Sequence, residues 1–229
     1  MESTHYSYLL VNVLCILFPL AFSFVKPFCF FRKFRAAFGA IFLVATFFVI
    51  WDIYFTKLGI WSFNENYLTG IYLVNLPIEE VLFFICIPFA CLFTFYCVTL
   101  YLKFNPFNDI KLTLIKLISI LIAVIGVLNI KYDYTASSLI LMAVFLFWTA
   151  YSKWKHLPTF LFTYLIILFP FLVSNGILTG SFIDEPIVKY NNNENLGIRV
   201  LTIHIEDLFY SGILQISNIF LFTRFNTKT

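Results

Sequence analysis

Seven apolar stretches, separated by short polar segments, follow one another along the chain. Five of them are long enough to cross a bilayer, which takes about 20 apolar residues; they cover residues 6–25, 36–55, 78–102, 112–130 and 199–222. Two shorter stretches, 136–151 and 157–174, complete the series. The pattern predicts an all-α integral membrane protein, a bundle of about seven transmembrane helices.

The same pattern recurs after 127 positions. That shift places three segments in register without a gap: 60–64 on 187–191, 70–71 on 197–198, and 78–80 on 205–207. We interpret this as a tandem repeat of three helices, with residues 1–104 and 132–229 as the two copies and 105–131 as a linker helix. Because one extra crossing restores the direction of the second copy, the two copies are predicted to be parallel. Their equivalent loops then lie on the same membrane face.

Composition and charge support a membrane location. The chain is 61% hydrophobic and 12% charged, against about 25% charged residues in soluble proteins. Lysine and arginine number ten in the loops on one side and four on the other. The positive-inside rule therefore predicts an N-terminus outside and a C-terminus inside, in the bacterial inner membrane. The net charge of +3 is small, and no basic block indicates nucleic acid.

An acidic pair opens one apolar stretch in each copy, Glu79 with Glu80 and Glu206 with Asp207. A charge at membrane depth costs about 2.5–3.5 kcal/mol, so such acids indicate a functional site. The structural alternative is that the acids only stabilise the N-terminus of a helix through its dipole, which is worth about 0.3–1 kcal/mol. We expect one acid of each pair to face the interior, with Asp52 as a third acid on the same side.

A buried carboxyl group beside another acid is harder to ionise and can act as a general acid. Glu79 and Glu206 recur with their neighbours and are therefore the first candidates for a functional role. The structural alternative is favoured for Glu80 and Asp207 taken alone. His204 stands where the first copy has Pro77, and we expect it to be a polar interface residue more readily than a proton relay.

The motifs resemble the lycopene cyclase domain family, the membrane-embedded carotenoid cyclases that occur as two small subunits or as one fused chain. In the first copy the resemblance is carried by segments 51–52, 61–64, 67–70 and 76–84, the last of which contains the Pro77-Ile78-Glu79-Glu80 motif. In the second copy it is carried by segments 186–191, 197–199 and 205–210. It covers nearly the whole chain. The chain departs from the family at His204, where the second motif often has proline.

This resemblance implies a lycopene β-cyclase, an intramolecular lyase or isomerase that closes the ψ-ends of a linear carotene into β-rings without net oxidation or reduction. Glu79 and Glu206 become the candidates for acid and base, with Glu80 and Asp207 tuning their proton affinity. Phe83, Phe84 and Tyr210 are the candidates for stabilising a carbocation by cation–π contact. The candidate substrate site also includes Asp52, Asn64 and Asn191.

Several features are missing from the sequence. No GxGxxG motif indicates a flavin fold, no Cys/His spacing indicates a metal site, and no aspartate-rich motif suits a diphosphate substrate. We therefore expect neither cofactor nor metal, and name lycopene or a related linear carotene and the lipid bilayer as partners.

Two alternative functions stay open, a proton-coupled transporter and a non-catalytic carotenoid-binding membrane protein. The sequence does not decide the oligomeric state, the type of ring, the number of ends cyclised or the number of active sites.

Overall fold

The computed structural model describes residues 5–226, and it is an all-α membrane helical bundle, as predicted. Seven α-helices occupy this range: α1 Ser7–Phe22, α2 Phe34–Leu58, α3 Ile78–Tyr101, α4 Leu112–Leu128, α5 Asp133–Tyr151, α6 Leu157–Leu178 and α7 Ile205–Asn226. Four segments are long and apolar enough to cross a membrane by themselves: Phe30–Leu58, which contains α2, and helices α3, α5 and α6. Helices α1 and α4 are apolar but shorter.

Helix α7 lies at the centre of the bundle. Every residue from Ser211 to Ile219 is buried, whereas α4 has only three buried residues. Polar residues on α7, among them Gln215 and Asn218, are therefore shielded from lipid by the helices around it. A central helix can carry such groups because it does not face the hydrocarbon.

Three short strands lie in each of the two long loops. The first loop holds β1 Trp61–Phe63, β2 Tyr72–Leu73 and β3 Leu76–Pro77, and the second holds β4 Val188–Tyr190, β5 Arg199–Val200 and β6 Ile203–His204. Each element of the second loop follows its counterpart by 127 positions, and α7 follows α3 by the same shift. The internal repeat read from the sequence is thus present in the folded chain.

The start of the seventh helix differs from its predicted position. The sequence placed the span at residue 199, whereas α7 begins at Ile205. Residues 199–204 instead form the β5–β6 hairpin, which the apolar pattern of Val200, Leu201 and Ile203 concealed. Gly70 and Gly197, which recur in the two loops, adopt left-handed backbone with φ of +80° and +69°, which glycine tolerates without strain.

A pseudo-two-fold axis relates the two repeats. Strand β1 pairs antiparallel with β4, and Ser62 lies opposite Lys189, its own counterpart after the shift of 127. The axis therefore passes between these two residues. Helix packing follows the same symmetry, because α2 packs against α7 and α6 against α3. Each repeat thus completes its packing with a helix of the other.

Candidate functional site

Both acidic pairs lie in the first turn of a helix, Glu79 and Glu80 on α3 and Glu206 and Asp207 on α7. Successive residues of a helix point about 100° apart. The two members of each pair therefore face different surroundings, and the structure separates them.

Glu79 and Glu206 hold the loops. The Oε1 atom of Glu79 accepts a hydrogen bond of 2.7 Å from the backbone N–H of Thr69, and that of Glu206 accepts one of 2.8 Å from the N–H of Leu196. Glu206 also accepts a hydrogen bond of 2.6 Å from the Thr135 hydroxyl. Both glutamates are fully buried, and neither is among the residues that line the cavity described next.

Glu80 and Asp207 face a narrow cavity of about 60 Å³ between the two repeats, together with Asp52 from α2. The cavity is lined by aromatic side chains from five helices and both loops: Tyr8, Trp61, Phe63, Phe83, Tyr134, Phe171, Tyr190 and Tyr210. Among the described residues that line it, none is a lysine or an arginine. Three carboxyl groups therefore share an aromatic site without a compensating cation.

Asp52 and Glu80 both line the cavity, and both are buried. Two carboxyl groups buried in one cavity without a cation disfavour double ionisation, because burial and like charge both penalise the second negative charge. Each receives a phenol hydrogen bond, Glu80 from Tyr8 at 2.6 Å and Asp52 from Tyr210 at 2.7 Å. This arrangement favours a proton on one of the two carboxyl groups.

Asp207 is surrounded by donors instead. The Tyr134 hydroxyl donates to one carboxylate oxygen, and the Asn175 side-chain amide donates to the other at 3.0 Å. Tyr190 also lines this cavity. Burial raises the pKa of Tyr190 well above its usual value, and the neighbouring Asp207 charge raises it further, so this phenol keeps its proton and can donate. Donors on both oxygens favour the ionised form of a carboxyl group.

The remaining sequence candidates fall into two groups. Phe83 and Tyr210 line the cavity, and Phe84 lies behind Tyr210 with 6.5 Å between ring centroids. Asn64 and Asn191 lie elsewhere, at the starts of the short 3-10 helices Glu65–Tyr67 and Asn192–Glu194. There each side chain accepts from the backbone two residues on. These two asparagines fix the loops and do not line the cavity.

His204 lies in β6 against Tyr190, with 4.7 Å between the ring centroids. It is fully buried, and burial lowers its pKa to about 4. The ring is therefore neutral near pH 7. His204 does not line the cavity, which leaves it outside the group of acids and phenols.

Sequence reasoning missed the hydrogen-bond donors of the site, Tyr8, Tyr134, Asn175 and Tyr190. One signal was present: Tyr8 and Tyr134 lie in the first turns of α1 and α5, which are equivalent helices of the two repeats. Their register differs by one position from the repeat shift, which hid the correspondence. Within residues 5–226, no group of histidine, cysteine and acidic side chains has an arrangement that could hold a metal ion.

Comparison with known proteins points to one family. The family model described as lycopene cyclase matches residues 5–98 and 131–225, which together contain both acidic pairs, helices α1, α2, α5 and α6 in full, and nearly all of α3 and α7. A search of curated proteins and a search of solved structures each found no match to the chain. Since the family model matches both halves and more than half of the residues, the chain belongs to the lycopene cyclase family.

Proposed function

We propose that this protein is a lycopene β-cyclase, which closes the ψ-end of a linear carotene by acid catalysis without a redox step. The observation that supports this proposal above all is the meeting of acids from both repeats in one buried aromatic cavity. Cyclisation of a polyene end needs a proton donor, a base and walls that tolerate a carbocation. The cavity offers a candidate for each.

The Asp52–Glu80 pair is the proposed proton donor. The proton shared by these two carboxyl groups is transferred to the terminal trisubstituted double bond, which leaves a tertiary carbocation. The Tyr8 and Tyr210 hydroxyl groups, at 2.6 and 2.7 Å, stabilise the negative charge that remains on the pair. A water-poor site strengthens these interactions.

Ring closure follows within the aromatic walls. The next suitable double bond attacks the cation, a six-membered ring forms, and the positive charge moves to a ring carbon. Rings such as Trp61, Phe83 and Tyr210 can stabilise this charge by cation–π contact, worth about 2 kcal/mol when desolvated. Water must be kept out, because it would trap the cation as an alcohol.

Asp207 is the proposed base. It removes the proton from the ring carbon next to the cation, which creates the ring double bond of a β-end. One proton enters and one leaves, so the reaction is neutral overall. Because Asp207 and Glu80 line the same cavity, the proton can return to the Asp52–Glu80 pair before the next turnover.

Glu79 and Glu206 are proposed to have structural roles. Both make the same hydrogen bond to the loop of their own repeat, and this bond explains why the two glutamates recur with their neighbours. The acid and base roles that the sequence suggested for them pass to the acids beside them. The domain boundaries at residues 104 and 131 remain part of this proposal.

Orientation completes the proposal. The excess of lysine and arginine in the loops away from the acids puts the cavity toward the outer face of the bacterial inner membrane. The substrate, a linear carotene, is apolar and reaches the site from the bilayer.

The test is pigment extraction from a bacterial host that accumulates lycopene and expresses the wild type or one of four variants. Glu80→Gln and Asp207→Asn should lower cyclisation by about 10²-fold or more, the scale of general acid–base catalysis. Glu79→Gln and Glu206→Gln are the matched controls, because glutamine still offers an oxygen to the loop N–H. Their activity should stay within a few fold of wild type.

Two results would count against the proposal. If the wild-type protein inserts well but leaves lycopene unconverted, the cyclase function is excluded. The transporter or the carotenoid-binding protein then becomes the leading hypothesis. Loss of activity in Glu79→Gln and Glu206→Gln, with activity kept in Glu80→Gln and Asp207→Asn, would return the acid and base roles to the first pair.

A further inference from the structure

An apolar groove runs between α2, α5 and α7 on the surface that faces the lipid. Its volume is about 400 Å³. The floor is formed by the buried side chains of Val44, Phe48, Ile213 and Ser217, and its rim includes the exposed side chains Leu43 and Trp148. Ser217 is the one polar side chain among the described residues that line it. We call this the α2–α5–α7 groove.

The groove lies deeper in the bundle than the acidic cavity. Asp207 and Ser217 are ten residues apart on α7, which at 1.5 Å per residue puts Ser217 about 15 Å deeper in the bundle. On α2, Leu43 lies about 14 Å deeper than Asp52 by the same measure. The groove and the acids therefore lie one above the other along the same helices.

The Phe48 side chain links the two spaces. The Phe48 ring lines the groove and contacts the Tyr210 ring of the acidic cavity, with 5.1 Å between centroids. It also packs on Trp51 and Phe84, each at 5.7 Å. Tyr210 in turn donates to Asp52. Phe48 and Tyr210 thus form a chain of contacts from the groove to Asp52.

The second repeat supports this connection. The counterparts of Val44 and Phe48 after the shift of 127 are Phe171 and Asn175 on α6, and both of these line the acidic cavity. The corresponding surface of α6 thus faces the site directly. On α2 the equivalent residues, Val44 and Phe48, line the groove instead.

We propose that the α2–α5–α7 groove holds the polyene chain of the carotene while its ψ-end lies among the acids, with the Phe48 ring turning aside to admit it. This inference rests on the proposed function. The groove suits a polyene because it is apolar, open to the lipid that supplies the substrate, and aligned with the bundle. A phospholipid acyl chain is the rival occupant.

The test blocks the groove at a known depth and compares a long substrate with a short one. Ser217→Phe adds a ring to the groove about 15 Å below the acids. Purified protein in vesicles is given lycopene or a lycopene-derived aldehyde with the same ψ-end, shortened so that it ends before that depth. The matched control is Ser119→Phe, which adds the same ring to a groove of about 380 Å³ between α4 and α5, away from the acids.

Ser217→Phe should lose at least about tenfold in the conversion of lycopene and convert the shortened aldehyde like wild type. Ser119→Phe should convert both like wild type. Unchanged lycopene conversion by Ser217→Phe, or an equal loss on both substrates, would overturn the proposal. If Ser217→Phe does not insert, Leu221→Trp, one turn deeper in the groove, replaces it with the same expectations.

A second readout does not depend on activity. Lycopene is achiral and gains circular dichroism in the visible range only when a chiral site binds it. In an Asp207→Asn background the signal should appear, persist with Ser119→Phe and disappear with Ser217→Phe. A signal that Ser217→Phe leaves intact excludes the groove as the binding site, whereas wild type that binds lycopene without converting it contradicts the cyclase proposal alone.

Discussion

The two repeats share their loops and the glutamates that bind them, which we call the frame, but they place different side chains at the cavity. Their loops fold alike, and Glu79 and Glu206 make the same hydrogen bond to them. At the cavity, the counterpart of Asp52 is Thr179, which lies outside it and bonds to Thr202. Phe83 likewise corresponds to Tyr210, whose hydroxyl donates to Asp52.

This difference has a chemical reason. A proton donor and a proton acceptor must differ in proton affinity, and two groups in identical surroundings cannot. The first repeat gives Glu80 an acidic neighbour, Asp52, whereas the second gives Asp207 the Asn175 amide donor. In the proposed mechanism both repeats supply an acid with a phenol donor, and the neighbours found in only one repeat make the two acids differ.

The largest effect is expected from removing Asp52, the acid that only the first repeat has at the cavity. Asp52→Asn removes one member of the Asp52–Glu80 pair, which is the proposed proton donor. We expect cyclisation of lycopene to fall by about 10²-fold or more. Pigment chromatography after expression in the lycopene-accumulating host measures the effect.

Thr179→Val at the equivalent position is the control for Asp52→Asn. Thr179 does not line the cavity, so activity should change no more than a few fold once membrane levels are matched. Equal losses in the two variants would show that Asp52 matters for the fold and not for proton transfer.

The shared frame predicts matched losses of stability. Glu79→Ala and Glu206→Ala leave a loop N–H without its acceptor, which costs about 1–3 kcal/mol. Glu206→Ala should cost more, because the Thr135 hydroxyl also loses its acceptor. Thermal unfolding in detergent, beside the Gln variants that keep an oxygen, checks both values. A stable Glu79→Ala protein without activity would contradict the structural role.

Removing one hydrogen-bond donor to Asp207 should have a smaller effect on cyclisation. Asn175→Leu keeps the volume of the side chain and removes the amide donor at 3.0 Å. Asp207 keeps the hydrogen bond from the Tyr134 phenol, so we expect cyclisation to fall by about tenfold, the loss of one hydrogen bond to a charged group. Steady-state rates in vesicles measure it.

Asn175→Asp is the second variant at this position. It places another acid beside the proposed base and should be worse than leucine. Activity that survives Asn175→Asp unchanged would remove Asp207 from the role of base.

The sequence predicted the frame better than the site. The recurring segments predicted the repeat and the acids at two helix starts, because both can be read directly from the order of residues along the chain. The site depends on contacts between distant positions: Tyr210 and Asp52 are 158 residues apart, and Tyr8 and Glu80 are 72. Nor could a single sequence tell which member of an acidic pair faces inward, since that depends on how each helix is rotated.

The smallest expected effect concerns His204, the residue that replaces Pro77 in the second repeat. Burial lowers its folded-state pKa to about 4, from the usual value near 6.5. Between these values the unfolded chain binds more protons than the folded one, so stability decreases as pH falls from about 6.5 toward 4. His204→Phe keeps a ring against Tyr190 and cannot titrate.

Thermal unfolding of wild type and His204→Phe at pH 7.5 and pH 5 isolates this effect. The wild type should lose a few degrees more than the variant on acidification, and the two should differ less at pH 7.5. Lycopene conversion at pH 7.5 should be similar in both, because His204 does not line the cavity. A His204→Phe protein that folds normally but no longer cyclises lycopene would make this histidine part of the chemistry, and the second loop would then contribute more than a frame.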